Sequence, residues 1–428
     1  MNTASRADTL KVAAAVLGPT IAGGVIKRRP RVLGMLEKTQ ADTTAVQVMQ
    51  GLRARYGTEP LRLAVPGRTL ALVLSADDVG TVLAGAPEPF SPANLEKRAA
   101  LAQFQPHGVL ISEGEPRERR RAFNERVLET PEQVHHLAPA MLAKTGEEVS
   151  SLPVRGSLDW DRFAAVWWRL VRRIVLGDGA RDDTATTDLL DRLRKTANWS
   201  YLAPQRTGLR RRALERLRGH LARAEPDSLA GTLTADPGID VASQAGHWLF
   251  AFDAAGMVAF RALALLSTHP LQRQEVLEEV PSTPKLPYLR ASVLDTVRLW
   301  PTTPAILRDT TEDTAALPAG TGLLVFTPFF HRDDENLPYA HSFTPEIWLD
   351  GRAQANPALV PFSAGPGECP ARNLVLTVAS AVLAELLRSR EFQLTSGQPL
   401  GPSRPLPSTL DNFGLTFSVR RRDGLLQQ

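Results

Sequence analysis

A chain of 428 residues, 43% apolar with a single cysteine, can bury a substantial core but forms no intramolecular disulfide and no zinc site with two cysteine ligands. A formal charge of only +4 does not mark a nucleic-acid binder, although arginines crowd 117–126 and 206–223. In the second run Leu214, Leu217 and Leu221 form an apolar stripe opposite the arginines, so a solvated helix face is the plainer reading.

Residues 10–26 are almost wholly apolar and end at Lys27-Arg28-Arg29. The run is shorter than the roughly 20 residues that cross a bilayer, and Gly18-Pro19 and Gly23-Gly24 should break a helix. A soluble segment, a peripheral membrane contact through 10–29 and a span stay open there, which sets 1–45 apart from a single domain over 46–428. Residues 61–65 and 69–74 flank Pro66-Gly67-Arg68 and predict a β-hairpin, with Ser75 capping the next helix. Pro116 opens a charged helix on which Arg117 and Arg121 stand one turn apart, able to hold two carboxylates, unless the face is merely solvated. Residues 137–229 read as helical, with Trp160, Trp167 and Trp168 as core aromatics. The longest helical pattern, 241–269, is apolar nearly all round and predicts a buried central helix. On it Asp253 and Arg261 share a stripe with Met257 and read as a structural or substrate-anchoring pair. Asp295 and Arg298, three apart on one face, would satisfy each other in the interior. Residues 307–325 alternate between Pro/Gly turns as short strands.

Residues 361–371 hold Cys369 behind a Gly/Pro-rich turn and ahead of an apolar run over 373–387. Backbone N–H groups and the dipole at such a helix N-terminus favour thiolate. The sulfur is then a nucleophile or the ligand of one metal, and an inert buried cysteine is the third alternative. No nucleophile elbow or cysteine-protease signature flanks it.

This stretch resembles the haem loop of the cytochrome P-450 family, F-x-x-G-x-R-x-C-x-G, through Phe362, Gly365 and Cys369. Gly367 stands where the family has arginine, and Ala371 where it has the last glycine. Other landmarks follow in the family's order. Ala255-Gly256 matches the start of A-G-x-acid-Thr on the central helix, but Val258 and Ala259 replace the acid and the alcohol. Asp295-Thr296-Val297-Arg298 stands for E-x-x-R, and Phe343-Thr344-Pro345-Glu346-Ile347 for F-x-P-E-R without its arginine. A third member of that lock is missing unless Arg352 reaches in. The resemblance runs from about residue 52 to 419.

It implies a mainly α fold with a smaller β-rich lobe, and haem b (iron protoporphyrin IX) between the central helix and the cysteine loop. Cys369 would be the axial ligand, with Phe362 and Gly365 in the haem loop and Arg117, Arg121 and Arg308 on the propionates. Ala255, Gly256 and Ala259 would face bound oxygen; Gly108, Val109, Leu110, Phe252 and Ala255 would line the substrate pocket. Asp295 and Arg298 would lock the scaffold, and Arg119, Arg120 and Arg126 would face a negatively charged redox partner. The tail 410–419 looks like the family's final hairpin, whose tip often reaches the pocket. The implied protein is a cytoplasmic monomer that takes a small apolar or amphipathic substrate and electrons from a ferredoxin or flavin reductase. Its implied function is a monooxygenase. The loss of the acid–alcohol pair equally suits peroxide-driven oxidation, rearrangement, dehydration or N–O chemistry. A non-catalytic helper on the same fold is the third alternative, against which the presence of Cys369 speaks.

Overall fold

The computed structural model describes residues 1–234, 236–280 and 285–422, so the domain expected over 46–428 runs past the last described residue. Helices make up most of it, and Val241–Thr268 is their axis. This helix can be apolar on every side because every side is covered: Trp160–Leu176, Thr207–Arg223, Pro287–Leu299 and Arg372–Ser389 all pack on it. Leu249, Phe260, Leu263 and Leu266 are fully buried, and burying each such side chain favours folding by about 1.5–3 kcal/mol. It is the one helix among the described residues long and apolar enough to cross a membrane, and 83% of its most apolar window is buried inside the protein. Trp167 is buried against it, and Trp160 and Trp168 pack half-buried on the same core.

The β-rich lobe is two small sheets. Strands β1 (Leu61–Leu63) and β2 (Leu70–Leu72) form the expected hairpin, Leu61 opposite Leu72, and Ser75 Oγ accepts the Asp78 N–H at 3.0 Å to start the next helix. Strand β3 is Phe90–Ser91, β5 Ala305–Thr310 and β6 Gly322–Phe326; the sheet order is β1-β2-β6-β5-β3, with only β2 and β6 parallel. A second sheet, β4 (Gly156–Asp159), β8 (Thr416–Arg421) and β7 (Arg390–Leu394), is antiparallel in the order β4-β8-β7. The tail thus pairs as expected, but its tip, Asn412–Gly414, packs into the core, where Phe413 meets Trp160 edge-on at 5.2 Å.

The N-terminal run departs from expectation. Gly18-Pro19 does not break it: Arg6–Val12, a π-turn at Ala13–Leu17 and Gly18–Gly23 follow one another without a gap. Pro19 falls in the first turn of the last piece, where a missing N–H is tolerated. Val12 and Val16 are buried on the first sheet's core, and Thr3 pairs with Arg62 of β1.

Asp295 and Arg298 lie fully buried on Pro287–Leu299. Arg298 Nε donates to Asp295 Oδ1 at 2.5 Å and Nη2 to Oδ2 at 3.1 Å; the remaining guanidinium hydrogens reach the carbonyls of His331, Ala340 and Ser342. The place left open by the absent arginine is taken by other donors: Thr344 N–H at 2.7 Å and the Trp348 indole N–H at 3.3 Å both reach the Asp295 carboxylate. Arg352 does not reach in; it pairs with exposed Asp350.

Candidate active site

Cys369 is held by a short, closed loop. Its N–H donates to Phe362 O at 3.0 Å, and a 3-10 turn at Gly365–Gly367 sits inside. Gly365 has φ +62°, and a Cβ there would stand 2.4 Å from Leu83 O, so the turn needs glycine twice over. Arg372–Ser389 then leads away. The expected thiolate bias is not realised by the loop alone. Burial pushes the Cys369 thiol up, and the Ala371 N–H and nearby Arg121, which pull it down, do not overcome that.

The thiol opens onto an apolar cavity of about 280 Å³ whose opposite wall is the central helix. Ala251, Ala254, Ala255 and Val258 line it there. Gly256 and Ala259, expected at the reacting face, turn away. Gly256 gives its space to Trp167, whose indole Nε1 would lie 2.8 Å from a Cβ at 256 and donates to Phe252 O at 2.9 Å. Ala259 is wholly inside the core. Sliding the A-G-x-acid-Thr motif back one turn puts its acid and alcohol places at Ala254 and Ala255, both on the cavity. Neither place has a polar side chain in either register. Ala251 and Ala254 are thus among the cavity-facing residues that the sequence does not mark.

Positive charge gathers at the cavity's rim. Arg121, on helix Gly114–Leu128, donates from Nη1 to Glu368 O at 2.8 Å beside the cysteine. Arg117, one turn earlier, is buried, and no hydrogen bond ties it to any described residue. Arg308 of β5 donates to its neighbour's carbonyl, Leu307 O, and weakly to Ser363 Oγ at 3.4 Å, while its buried Nε has no partner. Lys97 Nζ, also on the cavity, is bonded to the carbonyls of Pro92 and Leu307. Burial, then mutual repulsion, depresses this group: Arg117 falls under the influence of Arg121, Arg308 is pushed down to about 10 with Arg117 beside it, and Lys97 falls well below its ordinary range with Arg308 beside it. No carboxylate pairs with Arg117 or Arg308 among the described residues. Gly367 makes room for Arg308: a Cβ at 367 would lie 2.9 Å from Arg308 Nη2, so the guanidinium occupies the space a side chain there would take.

Of the expected pocket residues, Val109, Leu110 and Ala255 line the cavity. Gly108 instead supports the Gln105 side chain, and Phe252 is buried beside Trp167. Phe362 lines it; Gly365 lies behind, against Leu83. Asp253 and Arg261 are not a pair. Asp253 binds Lys27 Nζ at 3.0 Å, and Arg261 spends its guanidinium on the carbonyls of Trp300 and Leu410. Lys27 also binds Asp191 at 2.9 Å, and Asn198 clamps both backbone N–H groups of Ile26 and Lys27. This clamp makes Val25 and Ile26 part of the cavity wall, a role no local signal in the run revealed. Arg119 and Arg126 reach Asp236, and Arg120 bonds Ser112 at 2.5 Å.

Residues 260–412 match the family model for Cytochrome P450. Among curated proteins, the chain is similar to dimethylnonatriene synthase of Arabidopsis thaliana, 32% identical over 170 residues, covering 34% of this chain and 33% of that one. It is 32% identical over 162 residues to methyltetrahydroprotoberberine 14-monooxygenase of Papaver somniferum (32% and 30% covered), and 30% identical over 151 residues to Cytochrome P450 4c3 of Drosophila melanogaster (31% and 28% covered). Each match spans about a third of the relative's length.

Proposed function

Because this chain belongs to the cytochrome P450 family, we propose that it is a haem-thiolate monooxygenase acting on a small apolar or amphipathic molecule. One observation carries the reading: a lone thiol faces an apolar cavity across from a small-residue stretch of helix, with Arg308 on the cavity keeping a buried, unpartnered Nε and Arg117, buried without a hydrogen bond, close to it. Buried guanidinium groups without partners are costly, and two haem propionates are anions that would relieve them. The donor set therefore fits haem b: Cys369 for the metal, Arg117, Arg121, Arg308 and Lys97 for the carboxylates. Once bound, haem supplies the oxygen-activating redox chemistry, and the thiolate ligand's electron donation favours O–O cleavage.

The chain's own residues do the rest. Ala251, Ala254 and Ala255 keep the helix surface low, so a substrate approaches closely. Val25, Ile26, Val109 and Leu110 exclude water from the other sides. No hydroxyl or free carboxylate stands at the reacting stretch to hold a proton, since Asp253 is occupied by Lys27. Protons then come from the substrate or from ordered water, or the oxidant is peroxide, which brings its own; this observation favours peroxide-driven or other non-standard haem-thiolate chemistry as the second reading. We read the electron donor as a separate ferredoxin or flavin reductase, and residues 10–29 as part of the catalytic body of a cytoplasmic monomer.

The test is direct. Purified protein, reduced and treated with CO, should show the strongly red-shifted Soret band of thiolate-ligated haem; protein that takes up no haem defeats the proposal. Turnover with hydrogen peroxide but not with oxygen and reductant selects the second reading.

A further inference from the structure

The cavity's polar side chains are nearly all accounted for. The rim cations suit the propionates, Asn124 Nδ2 donates to Gln244 Oε1 at 3.0 Å, and Asp253 is bound to Lys27. Two imidazoles are the exceptions: His331 Nδ1 is buried without a partner among the described residues, and His247 has a ring nitrogen to spare. The His247 Nδ1 lies 2.8 Å from Gln105 Oε1; where that amide oxygen accepts, Nδ1 carries the proton and Nε2 keeps a lone pair. Nε2 has no partner among the described residues, and His247 lines the cavity. Burial holds the ring neutral, pushed down to about 4, and Phe250 meets it edge-on at 5.8 Å, which fixes its tilt. His247 stands seven residues before Ala254 on the same helix face, about 10 Å away along the axis at 1.5 Å per residue.

We propose that His247 Nε2 is a specificity-determining hydrogen-bond acceptor, and that the substrate carries a neutral O–H or N–H donor about 10 Å from the carbon presented over Ala254 and Ala255. This rests on the monooxygenase reading for the position of the reacting carbon. A site built to accept one hydrogen bond from its ligand discriminates strongly against an analogue that cannot donate it.

The haem-loaded protein is titrated with n-octanol and with octyl methyl ether, matched chains with and without a donor. Binding is followed by the low-to-high-spin Soret shift and, independently of haem optics, by calorimetry. The alcohol should bind at least about tenfold more tightly than the ether. The preference should vanish in His247→Phe and persist in His247→Gln, whose amide oxygen still accepts. Equal binding by the parent protein, an undiminished preference in His247→Phe, or loss of preference in His247→Gln would overturn the assignment. The CO band of the same preparations reports the monooxygenase reading separately, so the two ideas fail on different signals.

Discussion

Burial makes charge on Cys369 costly, and a cation at the sulfur reverses that balance, because a coordinating thiol is deprotonated outright. Cys369→Ser should therefore abolish the red-shifted CO band, even where haem content measured after extraction is retained. A second contrast lies on the central helix. Ala255→Thr places a hydroxyl on the cavity and should raise the fraction of reductant coupled to product under ordinary oxygen activation. Ala259 is closed off in the core, so Ala259→Thr should leave coupling unchanged and lower stability by about 1–3 kcal/mol through overpacking, read from denaturant midpoints. Equal coupling gains in both variants would place the helix in the other register.

Elements here replace one another's missing parts. The Asp295 carboxylate, without a third-partner arginine, draws the Thr344 N–H and the Trp348 indole instead. Ile347 fills the motif's arginine place and lies fully buried in a small core with Leu337, Ala340, Ala353 and Leu359. Restoring the motif by Ile347→Arg should consequently destabilise the protein, by several kcal/mol, roughly 3–5, because the new charge is buried without a partner. A raised unfolding midpoint would show that the arginine finds Asp295 after all. The 24–29 segment is an element in the same sense, fixed by Asn198 and by Lys27's two carboxylates. Asn198→Ala should free it, seen as faster tryptic cleavage after Lys27 or Arg28 and a weaker grip on apolar ligands. Unchanged proteolysis would mean that the ion pairs alone hold the wall.

Across the whole molecule, folding buries imidazoles in neutral form. Burial pushes His247 down to about 4 and, with Arg298 beside it, His331 down to about 3. Unfolded histidine titrates near 6.5, so between about 6.5 and 4 the unfolded chain binds protons that the folded one refuses. Stability is then full above that window and falls as pH drops through it, by about 1.4 kcal/mol per pH unit for each histidine. Guanidine midpoints at neutral and mildly acid pH should show this decline, and His247→Phe should make it shallower. A flat profile would mean these rings are protonated in the folded protein.

Much was decided locally. The hairpin at 61–72, the Ser75 cap, the long central helix, the Asp295–Arg298 spacing and the cysteine turn follow from alternation, helical period and turn chemistry, which act between near neighbours. The facing of the central helix did not: a helix apolar all round carries no phase in its sequence, so Gly256 and Ala259 were expected where Ala254 and Ala255 stand. The partnerships of Gly367 with Arg308, of Trp348 with Asp295 and of Lys27 with Asp253 join residues dozens to hundreds of positions apart. Only the packed chain brings them within a hydrogen bond's reach, because long-range contacts leave no periodic trace in the segments that make them.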